Sequence, residues 1–573
     1  MAVTETSHRL IPLDRLRRLA PLIVFVIALA VRLVGIGWGL KNDLHNQSYH
    51  PDEQDIFLFS QQIEPAHLKF TPGVYNYGTL YLSALRVASD MTAAYTGAPD
   101  PKNPDTNWSY MARCNFAGRL ISALAGAGTV LVIFLILLRL TDLLGASTGA
   151  AILAFAPAHV VHSRFQTVDV LAVFLLAASV LFAFKLIPKP EEDAPPDKQI
   201  LKWIVLAGVF AGLSGGTKYT GILGLLSVLV VLFACRRATF LKESLIAFGS
   251  AAAAFFVSCP GVLLDNAAFM RDFKYEMLHT STAHGLVFEG TANGFVYHLL
   301  NLLEGFGTIG TLLGVGALAY AAYRKQVWAL SLLAFMIPYY VLIGRAEVKF
   351  IRYTFPLYVG LATGFGWAVA KGQKQNKLGR LVVGAGILAV GGIDYGGLIG
   401  TVRFTGYMTA EDPRDTAARY LKDQARSNPN ALVGLPEDPW FWSAPLFLDS
   451  TIARRAMSPR KRFAEMQAAT APHVTYYLTP EGNPSQFDKR LITDVKPDFV
   501  TFSSIEYVDP LRLKGRSDVS NEGKAIAIEY TEFTDALQMG YDLDRSFGDD
   551  VSLVQDLAYV QPHVLVWKRK PTP

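Results

Sequence analysis

ISALAGAGTVLVIFLILL, residues 121–138, is eighteen consecutive residues without a charge. Roughly 20 apolar residues of helix cross a hydrocarbon layer about 30 Å thick, and spans packed inside a bundle can be somewhat shorter. The stretch therefore reads as a membrane-crossing helix. Ten more segments of this kind surround it, at approximately 21–40, 148–162, 170–186, 201–215, 219–234, 244–262, 303–323, 327–344, 353–370 and 381–400. Their density falls abruptly after residue 400. Residues 1–400 hold 56 charged side chains (14%), whereas residues 401–573 hold 45 (26%).

A polytopic α-helical membrane protein of about eleven transmembrane helices, followed by a soluble α/β domain, is the fold class this implies. The expected division is 1–400 and 401–573. Over all 573 residues only 18% are charged, against roughly 25% in soluble domains, so a purely soluble protein is excluded. The net charge of +5 reflects which loops face the cytoplasm, and no nucleic-acid partner follows from it. Three cysteines, Cys114, Cys235 and Cys259, supply neither a disulfide framework nor a zinc cluster.

Orientation follows from Lys and Arg in short loops, because cytoplasmic loops carry the excess. Arg9, Arg15, Arg17 and Arg18 place the start inside, and eleven spans then put the loops at Arg139, Lys185–Lys202, Arg236–Arg237, Arg324–Lys325 and Lys371–Arg380 inside too. The tail from residue 401 is sent to the extracytoplasmic face. Two long outer loops result, 41–119 and 263–302, the first with a helix expected over 80–95. In the tail, helices are expected over 415–427 and 531–539, and strands over 431–435, 474–478, 498–502 and 563–567.

Chemistry-bearing residues collect at the outer boundary. Tyr49-His50-Pro51-Asp52-Glu53-Gln54-Asp55 sets three carboxylates within four residues, suited to proton abstraction or cation binding, or merely to starting a helix near Ile56. Arg164-Phe165-Gln166-Thr167-Val168-Asp169 offers a further carboxylate, which a helix N-terminus would also favour. Lys218 follows Gly215-Gly216-Thr217, whose glycines would let backbone approach an anion. Arg345, Lys349 and Arg352 lie on an outer turn, against the positive-inside trend. Single basic residues at span ends commonly snorkel; together they suit a phosphate. Pro436-Glu437-Asp438-Pro439-Trp440-Phe441-Trp442 reads either as packing against the membrane part or as a sugar platform.

At these residues the chain resembles the GT-C glycosyltransferases that use polyprenyl-phosphate sugars, the group of protein O-mannosyltransferases and lipid A aminoarabinose transferases (glycosyltransferase family 39-like). Tyr49 to Glu53 is similar to that family's first-loop acidic motif. Tyr75-Asn76-Tyr77-Gly78, Arg164 to Asp169, Gly216-Thr217-Lys218-Tyr219 and Arg352 to Pro356 are similar in kind. The resemblance covers about residues 10–370. It implies transfer of one sugar from a polyprenyl-phosphate donor to a lipid, glycan or protein acceptor, with inversion, in a multi-pass protein of a bacterial inner membrane.

On that reading Asp52 is the general base, while Glu53 orients it or holds a cation. Lys218 and Arg352, assisted by Lys349 or Arg345, bind the donor phosphate. His50, Tyr75, Tyr77, Arg164 and Tyr219 contact substrate. Asp169 contacts sugar hydroxyls or shares a divalent ion (Mg, Mn or Ca) with Glu53, although no spacing demands a metal. The Trp-Trp-Asp signature of oligosaccharyltransferases is not found. A lipid or solute transporter (flippase) is the competing class, but it would place its charges near mid-span rather than at one face.

Overall fold

The computed structural model describes residues 13–571 except 101, 190–192, 283–284, 374–376, 395, 448–457, 469–471, 484 and 550–553; Arg9 lies outside them, as do the side chains of Arg15 and Arg17. Helices dominate as far as residue 409, and a five-stranded sheet follows. The helix holding the opening stretch is longer than expected. It runs over Pro104–Leu140, 37 residues or about 55 Å at 1.5 Å per residue, with Asn103 accepting the Asp105 N–H at its start.

Among the described residues three helices are individually long and apolar enough to cross a membrane: Asp105–Leu140, Arg237–Ser258 and Val327–Gly344. A fourth span forms if Gly294–Gly305 and Thr308–Tyr323 are counted together, but they meet at 114°. The expected uninterrupted span 303–323 is thus broken, at Gly307, whose φ of +96° only glycine adopts freely. Other expected spans are displaced or divided at similar points. The first helix, Leu13–Leu33, stops before Gly35 (φ +80°), and 148–162 divides into Leu143–Ala154 and Pro157–His162. The segment 381–400 divides near Gly392 (φ +87°) into Lys377–Gly391 and Gly397–Thr409.

Short helices survive because neighbours cover them. Val168–Phe184 buries 14 of its 17 residues. Outward faces are apolar instead of charged: Leu22 and Ile27 on the first helix, Leu241, Leu245, Phe248 and Val257 on Phe240–Ser258, and Leu381 and Ile387 on Lys377–Gly391 are all exposed. Water would disfavour such a surface and lipid would not, so this part is an integral, multi-pass membrane body. Arg32 is fully buried within it, bonded to the Ala28 carbonyl, Ser163 and His159.

The first long loop is itself helical, with Pro51–Gln61, Leu80–Thr96 and the start of Pro104–Leu140 packed together. Leu80–Thr96 buries Tyr81, Leu82 and Leu85 and exposes Met91 and Tyr95.

The sheet comprises β1 (Leu432–Gly434), β2 (His473–Thr475), β3 (Phe499–Ser503), β4 (Tyr541–Phe547) and β5 (Val564–Arg569), in the order β2-β1-β3-β5-β4. β1 runs parallel to β2 and β3; β5 is antiparallel to β3 and β4, with Thr501 opposite Val566. Helices Pro413–Ser427 and Asn521–Gly540 match the two expected ones. β4 was not expected: its alternation is interrupted by Asp542, Asp544 and Arg545, which are exposed or half-buried.

Candidate active site

The acidic motif begins a helix. His50 is the N-cap of Pro51–Gln61, its ring accepting the Asp52 N–H at 3.3 Å; Pro51 occupies the first turn, where no backbone donor is missed, and Asp52 and Glu53 sit where the helix dipole favours anions. Adjacent residues on a helix point about 100° apart, so the two carboxylates face different surroundings. Asp52 lines a cavity of about 670 Å³ between the helical part and the C-terminal sheet region.

Glu53 is fully buried on the other side. Its oxygens accept Nε and Nη2 of Arg119 (2.8 Å each), the Ser48 hydroxyl (2.5 Å) and the Gln166 N–H (2.8 Å). Burial opposes its ionisation, but Arg119 outweighs that and holds the carboxyl below its ordinary range. Glu53 thus ties the first loop to the segment before Asp169.

Asp169, at the start of Val168–Phe184, forms an ion pair with Lys218. Arg352 bridges the two loops: Nη2 lies 3.1 Å from Asp52 and Nε 3.9 Å from Asp169. Asp52, Arg352, Asp169 and Lys218 therefore form one alternating chain of charges drawn from four separate segments. Lys218 also stands over the Tyr353 ring, 4.4 Å from its centre. A narrow cleft lies beside this chain, lined by Asp169, Lys218 and Arg352 together with Leu176, Tyr339 and Pro356. Arg352, 7% exposed, borders both the cleft and the large cavity, and its Nη1 is buried without a partner.

Other expected residues lie elsewhere. Lys349 is buried with Nζ on Thr291 Oγ1 and the Ala292 carbonyl (3.1 Å each), and Arg345 is exposed. Arg164 is buried against the Val31 carbonyl and Thr405 (2.9 and 2.7 Å) and acts as a brace between helices. Tyr75 donates to Asp265 (3.0 Å), and Tyr219 donates to the carbonyls of Tyr75 and Tyr77 (2.8 and 2.9 Å), shaping the loop that brings Tyr77 to the cavity wall.

The glycines before Lys218 serve a close backbone contact with the first loop. The Leu80 N–H donates to the Gly216 carbonyl at 3.0 Å, and a Cβ on Gly78 would stand 2.1 Å from that oxygen. Two motifs meet there backbone to backbone.

Glu53 and Asp169 do not fit a shared divalent ion, because each already faces cations; among the described residues no group of three His, Cys, Asp or Glu side chains could hold a metal.

Asp556, from the loop between β4 and β5, was not foreseen. Fully buried, it accepts the N–H of Ile351 (2.9 Å) and of Arg352 (3.4 Å) and lies 3.4 Å from His162. No sequence pattern marks it. Arg119 was equally hidden, at the expected edge of a loop.

Comparison with known proteins agrees with the class of the motif resemblance. Residues 88–273 match the family described as dolichyl-phosphate-mannose-protein mannosyltransferase. That segment contains Asp169 and Lys218, while Asp52 and Arg352 lie outside it. A search of curated proteins by sequence finds no match. Among solved structures, ArnT from Cupriavidus metallidurans is similar at 13% identity, with 96% of this chain and 98% of that one covered and a TM-score of 0.48. The Archaeoglobus fulgidus oligosaccharyltransferase is similar at 13% identity, over 92% and 73%, with a TM-score of 0.47. The S. cerevisiae Pmt1-Pmt2 complex aligns over 45% of this chain and 34% of its own, at 18% identity and a TM-score of 0.28.

Proposed function

We propose that this chain is a membrane glycosyltransferase that moves a monosaccharide from a polyprenyl-phosphate donor to a hydroxyl acceptor, with inversion. The observation that carries the reading is Arg352: a buried guanidinium with one unpartnered N–H group, set between two carboxylates and beside Lys218. A buried donor without an acceptor is costly, and an anion entering the cleft satisfies it. The family match over 88–273 supports the same donor class.

In this scheme the donor phosphate meets Lys218 and Arg352 at the cleft, and its isoprenoid chain runs along the apolar helices. As Arg352 turns to the phosphate, its hold on Asp52 loosens. Asp52, 30% exposed and facing the large cavity, then takes the proton of the acceptor hydroxyl as its oxygen attacks the anomeric carbon from the face opposite the phosphate. The anomeric C–O bond breaks, and the negative charge gathering on the leaving phosphate is met by the two cations. Phosphate leaves without a general acid, so a single base suffices.

The chemistry belongs at the extracytoplasmic face of a bacterial inner membrane, with the N-terminus inside and the C-terminal sheet region outside; the expected division at 400/401 falls within the helix Gly397–Thr409, so the sheet region begins after it. A cysteine at Asp55 reacts with an impermeant reagent added from outside; labelling from the cytoplasm alone reverses this orientation. The function itself is tested with purified protein, a radiolabelled polyprenyl-phosphate sugar and an envelope extract as acceptor. Wild-type transfer rates in Asp52→Asn would refute the assignment of the base.

A further inference from the structure

The large cavity is strongly one-sided in charge. The helical part contributes Asp52, Asp55 and Glu276, and the C-terminal region contributes Glu437, Glu506, Asp509 and Glu522. Against these seven carboxyl groups the described lining holds one arginine, Arg352, already paired with Asp52, and one histidine, His279. The cations of the proposed phosphate site thus lie at the cleft end, and the chamber beyond them is acidic.

The chamber also has an aromatic wall. Trp440, Phe441 and Trp442 pack edge to face with centres 4.9 to 5.0 Å apart, and Tyr559 meets Phe441 at 5.6 Å. All four line the cavity. Glu506, on the lining of the same cavity, is 3% exposed: its Oε2 accepts the Ser503 N–H at 2.7 Å, whereas its Oε1 is buried with no partner. An unpartnered carboxyl oxygen and aromatic planes on the lining of one cavity of this size make a place for a ligand that supplies hydroxyl donors and flat C–H faces.

We propose that the acceptor admitted to this chamber is an uncharged carbohydrate, donating hydroxyls to Glu506 and laying a sugar face on Trp440 and Trp442, and that phosphorylated or uronic-acid acceptors are turned away by the surrounding carboxylates. Like charges reject the wrong ligand without any steric change. A cationic peptide fits less well. Burial raises Glu506 well above its ordinary value, and Asp509 is already paired with Arg512 at 2.8 Å, so neither is a free counter-ion for a lysine. The inference rests on the reading of the chain as a transferase, since it names that enzyme's acceptor.

The test uses the full purified chain in detergent, fluorescently labelled, on an array of neutral glucans, mannans, galactans and arabinans. The same glycans bearing phosphate or uronic acid form a second arm, and Lys-rich Ser/Thr peptides a third. The expected result is binding to neutral glycans only, weakened at least about ten-fold in Glu506→Gln and in Trp442→Ala. The amide introduced by Glu506→Gln keeps an oxygen for the Ser503 N–H, and unchanged melting confirms that each variant is folded. Binding confined to anionic glycans or to peptides, no glycan binding, or neutral binding unmoved by both variants overturns the proposal. Transfer of radiolabelled sugar by the wild type from a polyprenyl-phosphate donor to an envelope extract is scored separately: its absence counts against the transferase reading, whereas transfer without glycan binding counts against this one alone.

Discussion

Asp52 and Glu53 are adjacent carboxylates for which opposite outcomes are expected. In Glu53→Gln one oxygen is kept, but an amide N–H₂ is turned toward the Arg119 guanidinium, donor against donor. Both side chains are fully buried, and Arg119 also holds the carbonyls of Ile36 and Trp38 at 2.7 and 2.6 Å, so the guanidinium cannot leave to find water. Removing one member of a buried ion pair costs about 3 to 5 kcal/mol. That lowers the folded-to-unfolded ratio by roughly two to four orders of magnitude. Asp52→Asn, at a partly exposed position, shifts stability by only about 0.5 kcal/mol. The assay is thermal unfolding in detergent followed with a thiol-reactive dye, since Cys114 and Cys259 are fully buried and react on opening. Turnover is measured in parallel per folded molecule. A Glu53→Gln protein that melts with the wild type yet has lost turnover would show that Glu53 works on the substrate and that the partition drawn here is wrong.

Asp52→Asn lowers kcat by about 10²-fold or more with donor binding nearly intact, measured by steady-state transfer. Lys218→Ala raises the donor KM more than the acceptor KM; equal effects move the phosphate site elsewhere. His50 is held neutral by burial, its pKa lowered from 6.5 to about 3 in the fold. Unfolding therefore takes up a proton between those values, and stability falls as pH drops from 6.5 toward 3; His50→Asn, able to cap the same helix, flattens that slope in melts between pH 7 and 5. Asp556→Ala raises the donor KM through Arg352, and Asp556→Asn, which keeps one acceptor for the Ile351 and Arg352 N–H groups, restores part of it.

The membrane body was readable from uncharged runs such as 121–138, and the tail from its charge density, because burial in lipid and exposure to water select side chains along whole segments. Helix number was harder to read. Composition cannot tell a span from two shorter pieces, and the breaks near Gly307 and Gly392 depend on single backbone angles. Asp52, Asp169, Lys218 and Arg352, which the fold joins into one chain of charges, stand out in the sequence because each is a charge beside an apolar run. Glu53 had the same signature, and its burial against Arg119 depends on where a helix 66 residues later passes. Lys349 likewise looked basic and outward but folds back onto Thr291. Asp556 and Glu506 sit in ordinary polar surroundings in sequence and gain meaning only from what packs over them.

The reach of Asp556 into the turn at Ile351 and Arg352 has a consequence for biogenesis. All the helices flanking the cleft precede it in chain order, so they insert while the amides that fix the key arginine still lack their acceptor. The cleft is then complete only when Asp556 has reached that turn. A nascent chain stalled before the residue that supplies those acceptors holds every helix of the cleft but leaves the turn at Ile351 and Arg352 unanchored.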